Sequence, residues 1–153
     1  MTAKRSPLYK KARLGERITT MDVVGIVPVV RNVSGLQRPS YRAWLAALDT
    51  AAAAAAQGRS RDDVDFFSVR DDVDFFSVRI ELRLFAKKDH HADLDNYVKP
   101  ILDSIAKHGV FGPTLHQGSG MTGDERVDHL ELTRRRVAAQ EDAGVLIEVW
   151  SLN

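Results

Sequence analysis

The fold turns on residues 76–111, FSVRIELRLFAKKDHHADLDNYVKPILDSIAKHGVF. The opening third alternates. Phe76, Val78, Ile80, Leu82 and Leu84 fall two apart, with Ser77, Arg79, Glu81 and Arg83 between them. Successive side chains of a strand point to opposite faces, so this segment is a strand with one apolar and one charged face. The closing third changes period. Val98, Ile101, Leu102 and Ile105 recur at helical spacing, and Gly109 closes the helix. Pro100 limits where that helix begins, because an interior proline loses a hydrogen bond and clashes with the carbonyl four residues back. The expected start is Asp95 or Asn96.

Upstream, residues 62–70 and 71–79 are the same nine letters, DDVDFFSVR. An odd period cannot keep both copies on one face of a straight strand. The second copy runs into the core strand, and the first is an extension, a hairpin segment or an artefact of duplication. Ser40 to Gln57 reads as a helix capped by Ser40, with Tyr41, Trp44, Leu45 and Leu48 on one face and Ala51–Ala56 at high propensity. Residues 19–30 are rich in Val and Ile and read as an early strand. Downstream, Gly112–Gly123 reads as a glycine-rich loop. Val127–Val137 and Gly144–Leu152 read as two final strands, with Ala138–Ala143 as their hairpin loop. The reading is an α+β chain: a small mixed sheet with two main helices, in the order β-α-β-α-β-β.

A length of 153 residues matches a single domain. Residues 1–17 carry Lys4, Arg5, Lys10, Lys11, Arg13 and Arg17 against Glu16 alone, and read as a basic arm before a domain over 18–153. Cysteine is absent, which excludes disulfides, thiolate zinc sites and cysteine catalysis. The 22 Lys+Arg against 21 Asp+Glu leave a formal charge of +1, so any nucleic-acid function must come from the layout of charge rather than its total. The apolar run Met21–Val30 contains Asp22 and is too short to cross a bilayer. It lacks the small-residue cleavage site of a signal peptide. The expected location is cytoplasmic.

The residues that carry chemistry are Asp93, Asp95, Asn96, Lys99 and Asp103. Asp93 and Asp95 flank Leu94 and point the same way in an extended chain. Lys99 and Asp103 follow Asp95 at steps of four on one helical face. Clustered carboxylates raise one another's pKa unless a cation neutralises them, and such hard oxygen donors suit Mg²⁺ or Mn²⁺. Against this stands a plainer reading: Asp95 or Asn96 caps the helix and Lys99 makes an ordinary helical ion pair. An EF-hand is excluded, because counting from Asp93 puts Val98 and Ser104 where glycine and glutamate are needed.

The wording Asp93-Leu94-Asp95-Asn96-x-x-Lys99 with Asp103 four residues on, then Gly109-Val110-Phe111, resembles the RusA-like Holliday junction resolvases. In those endonucleases a second acidic element precedes a strand, and here Gly123-Asp124-Glu125-Arg126-Val127 matches it. In the family it follows the glycine turn within a few residues, whereas here residues 112–123 intervene. The resemblance implies a homodimer that cuts branched DNA, with Asp93, Asp95 and Asp124 as metal-binding catalytic acids and Lys99 as the catalytic lysine. Glu125 and Asp128 stand as alternatives to Asp124. Asp103 either joins the metal site or orients Lys99. A bacterial or phage-infected cell is the associated setting. Expected DNA contacts are Lys87, Lys88, Arg134, Arg135 and Arg136, with the basic arm behind them. His90 and His91 sit beside the acids, whereas His108, His116 and His129 have no metal-site spacing. Trp44 is expected in the core, and Trp150 in the core or a dimer interface. Two other functions compete: a branched-DNA-binding module that does not cleave, and a metal-dependent enzyme acting on a small phosphorylated substrate.

Overall fold

A computed structural model describes residues 14–30, 39–58, 75–85, 94–111 and 126–152. The elements follow the expected order: β1 (Leu14–Val24), α1 (Pro39–Gly58), β2 (Phe76–Phe85), α2 (Asp95–Lys107), β3 (Val127–Val137) and β4 (Gly144–Leu152). The first nonapeptide copy lies outside the described residues; the Phe75–Arg79 end of the second leads into β2.

The four strands form one mixed sheet in the order β1-β4-β2-β3. β4 is antiparallel to both β1 and β2, and β2 is parallel to β3. Parallel neighbours cannot be joined by a tight turn, and α2 lies in the crossover between them. The alternation of β2 becomes burial as anticipated: Val78, Leu82 and Leu84 are fully buried. Val145, Ile147 and Val149 of β4 and Met21 and Val23 of β1 continue that face, and Trp44, Leu48, Tyr97, Ile101 and Ile105 pack over it from the helices. Phe111, just past α2, stacks on Phe76 with ring centroids 5.4 Å apart. The end of α2 therefore lies beside the beginning of β2.

The other face of the sheet carries charge. Arg79 bonds Glu131 at 2.8 Å, Arg83 meets Asp22 at 3.2 Å, and Arg135 meets Glu81 at 3.1 Å. Ser77 and His129 form a hydrogen bond of 2.6 Å on this side. Trp150 belongs to this face by alternation and is half-buried, while Trp44 is wholly enclosed in the core.

Three boundaries depart from the sequence reading. β1 begins at Leu14, inside the stretch read as arm, and ends at Val24, where Gly25 takes a φ of 87°. Residues 27–30 are not strand; Pro28 has no N–H for a ladder. α1 already includes Pro39, so Ser40 stands in its first turn and not at its cap, consistent with the tolerance of first turns for proline. The last two strands are not a hairpin. β2 lies between them, and residues 138–143, with a short 3-10 turn at Gln140–Asp142, carry the chain past it. The apolar alternation of β4 explains why: it belongs between two partners, whereas β3 is mostly exposed and suits an edge. Among the described residues no helix is long and apolar enough to cross a membrane.

α2 ends in a Schellman turn, with the Val110 N–H bonded to the Ile105 carbonyl at 3.2 Å, the Gly109 N–H to Ala106 at 3.0 Å, and Gly109 at φ 81°. Gly144 is more tightly held. Its φ is 150°, and a Cβ there would sit 1.8 Å from the Val23 carbonyl oxygen, whereas a Cβ at Gly109 would meet open space. Gly109→Ala should therefore cost about 1 kcal/mol, the conformational penalty alone. Gly144→Ala should cost more than about 2 kcal/mol, because backbone must move. Chemical denaturation of the two variants checks the order; equal losses would refute it.

Candidate functional site

α2 is where the sequence concentrates polar chemistry, and its first turn decides how Asp95 is used. The capping position is Leu94, already helical at φ −58° and ψ −40°, and it makes no side-chain cap. Asp95 is therefore the first helical residue rather than the cap, and its side chain is exposed. A carboxylate in a first turn is favoured by the helix dipole. One turn on, the Lys99 ammonium donates to Asp103 Oδ1 at 2.8 Å. Asp95, Lys99 and Asp103 lie on one stripe of α2. The first and last are eight residues apart, about 12 Å of helix rise. Two carboxylates that far apart cannot chelate one ion, so within a protomer Asp103 does not share an ion with Asp95 and is paired with Lys99 instead.

Lys99 and Asp103 face an open cleft of about 380 Å³ between the two helices, walled on the α1 side by Tyr41, Leu45 and Asp49. Asp49 was not singled out by the sequence reading, since a lone acid on an alanine-rich helix carries no motif. It accepts a hydrogen bond from buried Ser104 at 2.7 Å and meets His108 at 3.3 Å and Lys107 at 3.6 Å. Partial burial is the largest single influence on its carboxyl and pushes the pKa up; the Ser104 hydroxyl, Lys107 and His108 together outweigh it and hold the carboxyl below the usual range. Only the i, i+3 and i+4 spacing of Ser104, Lys107 and His108 on α2 hinted at a shared partner.

The three arginines of β3 divide between the faces of the sheet. Arg134 pairs with Leu82 and Arg136 with Leu84, both core-facing, while Arg135 pairs with Arg83 on the charged face. Both Arg134 and Arg136 bear on the Tyr97 phenol, whose pKa burial raises and the two guanidiniums partly lower. The far end of α2 falls on Phe76 at the start of β2, so the first turn of α2 belongs to the end of the sheet where Arg134 and Arg136 stand.

Asp93, Asp124, Glu125, Lys87, Lys88, His90, His91, His116 and the residues of the basic arm before Leu14 lie outside the described residues. The described chain resumes at buried Arg126, next to Val127, which pairs with Phe76. That is the end of the sheet where α2 finishes. Asp128 belongs to the same end: six residues, about 20 Å of strand, separate it from Arg134. Within one protomer Asp128 therefore does not share an ion with Asp95. Among the described residues no three His, Asp or Glu side chains gather as a metal site. Of Asp93, Asp95 and Asp124, the acids that the resemblance implies as metal ligands, Asp95 alone lies among the described residues.

No protein-family model, curated protein or solved structure matches the chain.

The cleft makes one prediction about stability. A carboxyl whose folded pKa is depressed contributes stability that is complete above its unfolded value, near 3.9, and is lost as pH falls through the folded value. Asp49→Asn should therefore lower the urea midpoint at pH 7, with the difference from wild type shrinking below about pH 4. Ser104→Ala should cost about 1 kcal/mol at pH 7. A difference that persists unchanged in acid would remove Asp49 as the ionised link between the helices.

Proposed function

We propose that the chain is a divalent-metal-dependent endodeoxyribonuclease of the RusA-like type, which resolves four-way DNA junctions as a homodimer. The observation that carries the reading is the stripe on α2. Asp95 is exposed at its head and not consumed as a helix cap, and Lys99 follows one turn behind, steered by Asp103. The resemblance supplies the rest of the set, Asp93 and Asp124.

In this reading Asp93 and Asp95 would hold Mg²⁺ or Mn²⁺, and Asp124, whose neighbour Arg126 lies at the opposite end of the sheet, would complete the set only across the dimer. Such an ion would supply an activated water and offset charge on the leaving 3′ oxygen. Asp95 contributes hard oxygen ligands at the rim of the fold, where a DNA strand has access. Lys99 places a positive charge where the phosphate becomes more negative during the reaction. Asp103 restrains the Lys99 ammonium, so less of its motion must be lost when the phosphate arrives. A junction has twofold symmetry, and a symmetric dimer presents one site to each of two opposed strands.

The second reading, a branched-DNA-binding module that does not cleave, is favoured by one observation: β3 starts at the end of the sheet where α2 finishes, whereas Asp95 is at its beginning. Asp124 is two residues before the described chain resumes at Arg126.

Incubation with a synthetic four-way junction and Mg²⁺ separates the two. Paired symmetric nicks are expected from wild type, none from Asp95→Asn, and a rate lower by about 10²–10³ from Lys99→Ala. Both variants should still bind the junction. No cleavage by wild type with either metal would favour the non-cleaving module, and full cleavage by Asp95→Asn would remove Asp95 from the site.

A further inference from the structure

β3 runs its arginines in sequence, Arg134, Arg135, Arg136, but a strand shows alternate residues to opposite sides. Its core-side stripe begins with Leu130 and Leu132 and changes to Arg134 and Arg136, although the paired β2 residues Leu82 and Leu84 remain fully buried. An apolar stripe thus gives way to guanidiniums at the border of the core. Arginines at such a border can lay their stems along apolar surface while their heads reach water. Arg134 and Arg136 are both exposed, and they lie toward the end of β3 where the crossover begins α2 and its Asp95 turn, since the far end of α2 falls on Phe76 at the start of β2.

Two residues along a strand are roughly 7 Å apart. That is comparable to the spacing of successive phosphates on one DNA strand, so two arginines in this relation suit consecutive phosphodiesters. Arg135 points the other way. It meets Glu81 at 3.1 Å, and Glu81 in turn lies 3.8 Å from Arg83. Its charge is countered within the opposite face of the sheet.

We propose that Arg134 and Arg136 form the track that takes the DNA sugar-phosphate backbone and leads it to Asp95, and that Arg135 has no part in binding. The inference rests on the branched-DNA reading above and narrows it to one face of one strand. Among the described residues β3 is an edge strand of the sheet.

The test is junction binding by the full chain at a series of salt concentrations without divalent metal. Arg134→Ala/Arg136→Ala should weaken affinity about tenfold or more and reduce the slope of log K against log salt by about two. Arg135→Ala should leave both unchanged. Arg134→Lys/Arg136→Lys, which keeps the charges, should recover most of the affinity, and cooperative unfolding of each variant confirms that it is folded. An equal loss from Arg135→Ala, or an unchanged slope in a folded double alanine variant, overturns the track and leaves the nuclease reading standing. Salt-insensitive or absent binding by wild type overturns both.

Discussion

The parallel pairing of β2 with β3 is the constraint on which the arrangement depends. Two parallel neighbours require the chain to return the length of the sheet, and here α2 lies in that return. The helix must therefore run opposite to the strands. Its first turn, with Asp95 and Tyr97, falls where β2 and β3 end, and its last turn, with Phe111 beyond it, falls on Phe76 where β2 begins. The placing of an acidic turn beside Arg134 and Arg136 follows from this pairing, although more than thirty residues separate the two in the chain.

Division of the sheet into two faces does the remaining work. One face is closed by the helices over Val78, Ile80, Leu82 and Leu84. The other is a lattice of Arg and Glu side chains whose members mostly counter one another. Exposed ion pairs of this kind contribute little stability, with a median near zero to 1 kcal/mol each. Their effect is on charge. They neutralise the open face locally, whereas the core-side stripe of β3 turns from leucine to arginine.

The two helices meet through a polar contact as well as an apolar one. Trp44 and Leu48 of α1 and Ile101 and Ile105 of α2 belong to one buried cluster, and Asp49 gathers Ser104, Lys107 and His108 at the rim. A carboxylate that engages three side chains on successive positions of one helical face resists rotation of that helix about its axis. The same rotation would carry Lys99 and Asp103 out of the cleft, so the contact also orients the stripe on which the proposed chemistry depends.

Periodicity determined that residues 76–85 form a strand with one buried face and that the elements alternate as β-α-β-α-β-β, and Pro100 narrowed the start of α2 to Asp95 or Asn96. These are local properties, set by where neighbouring side chains point. The spacing of Asp95, Lys99 and Asp103 was equally legible, because i and i+4 on a helix are neighbours whatever the fold. Tertiary structure decided the order of the strands. Val127–Val137 and Gly144–Leu152 look like a hairpin in sequence, yet β2 lies between them, because a strand's choice of partner depends on which edges are free when the sheet assembles. It also recruited Asp49, which no motif marks, and it split Arg134–Arg136 between two faces by pairing them in register with Leu82, Arg83 and Leu84.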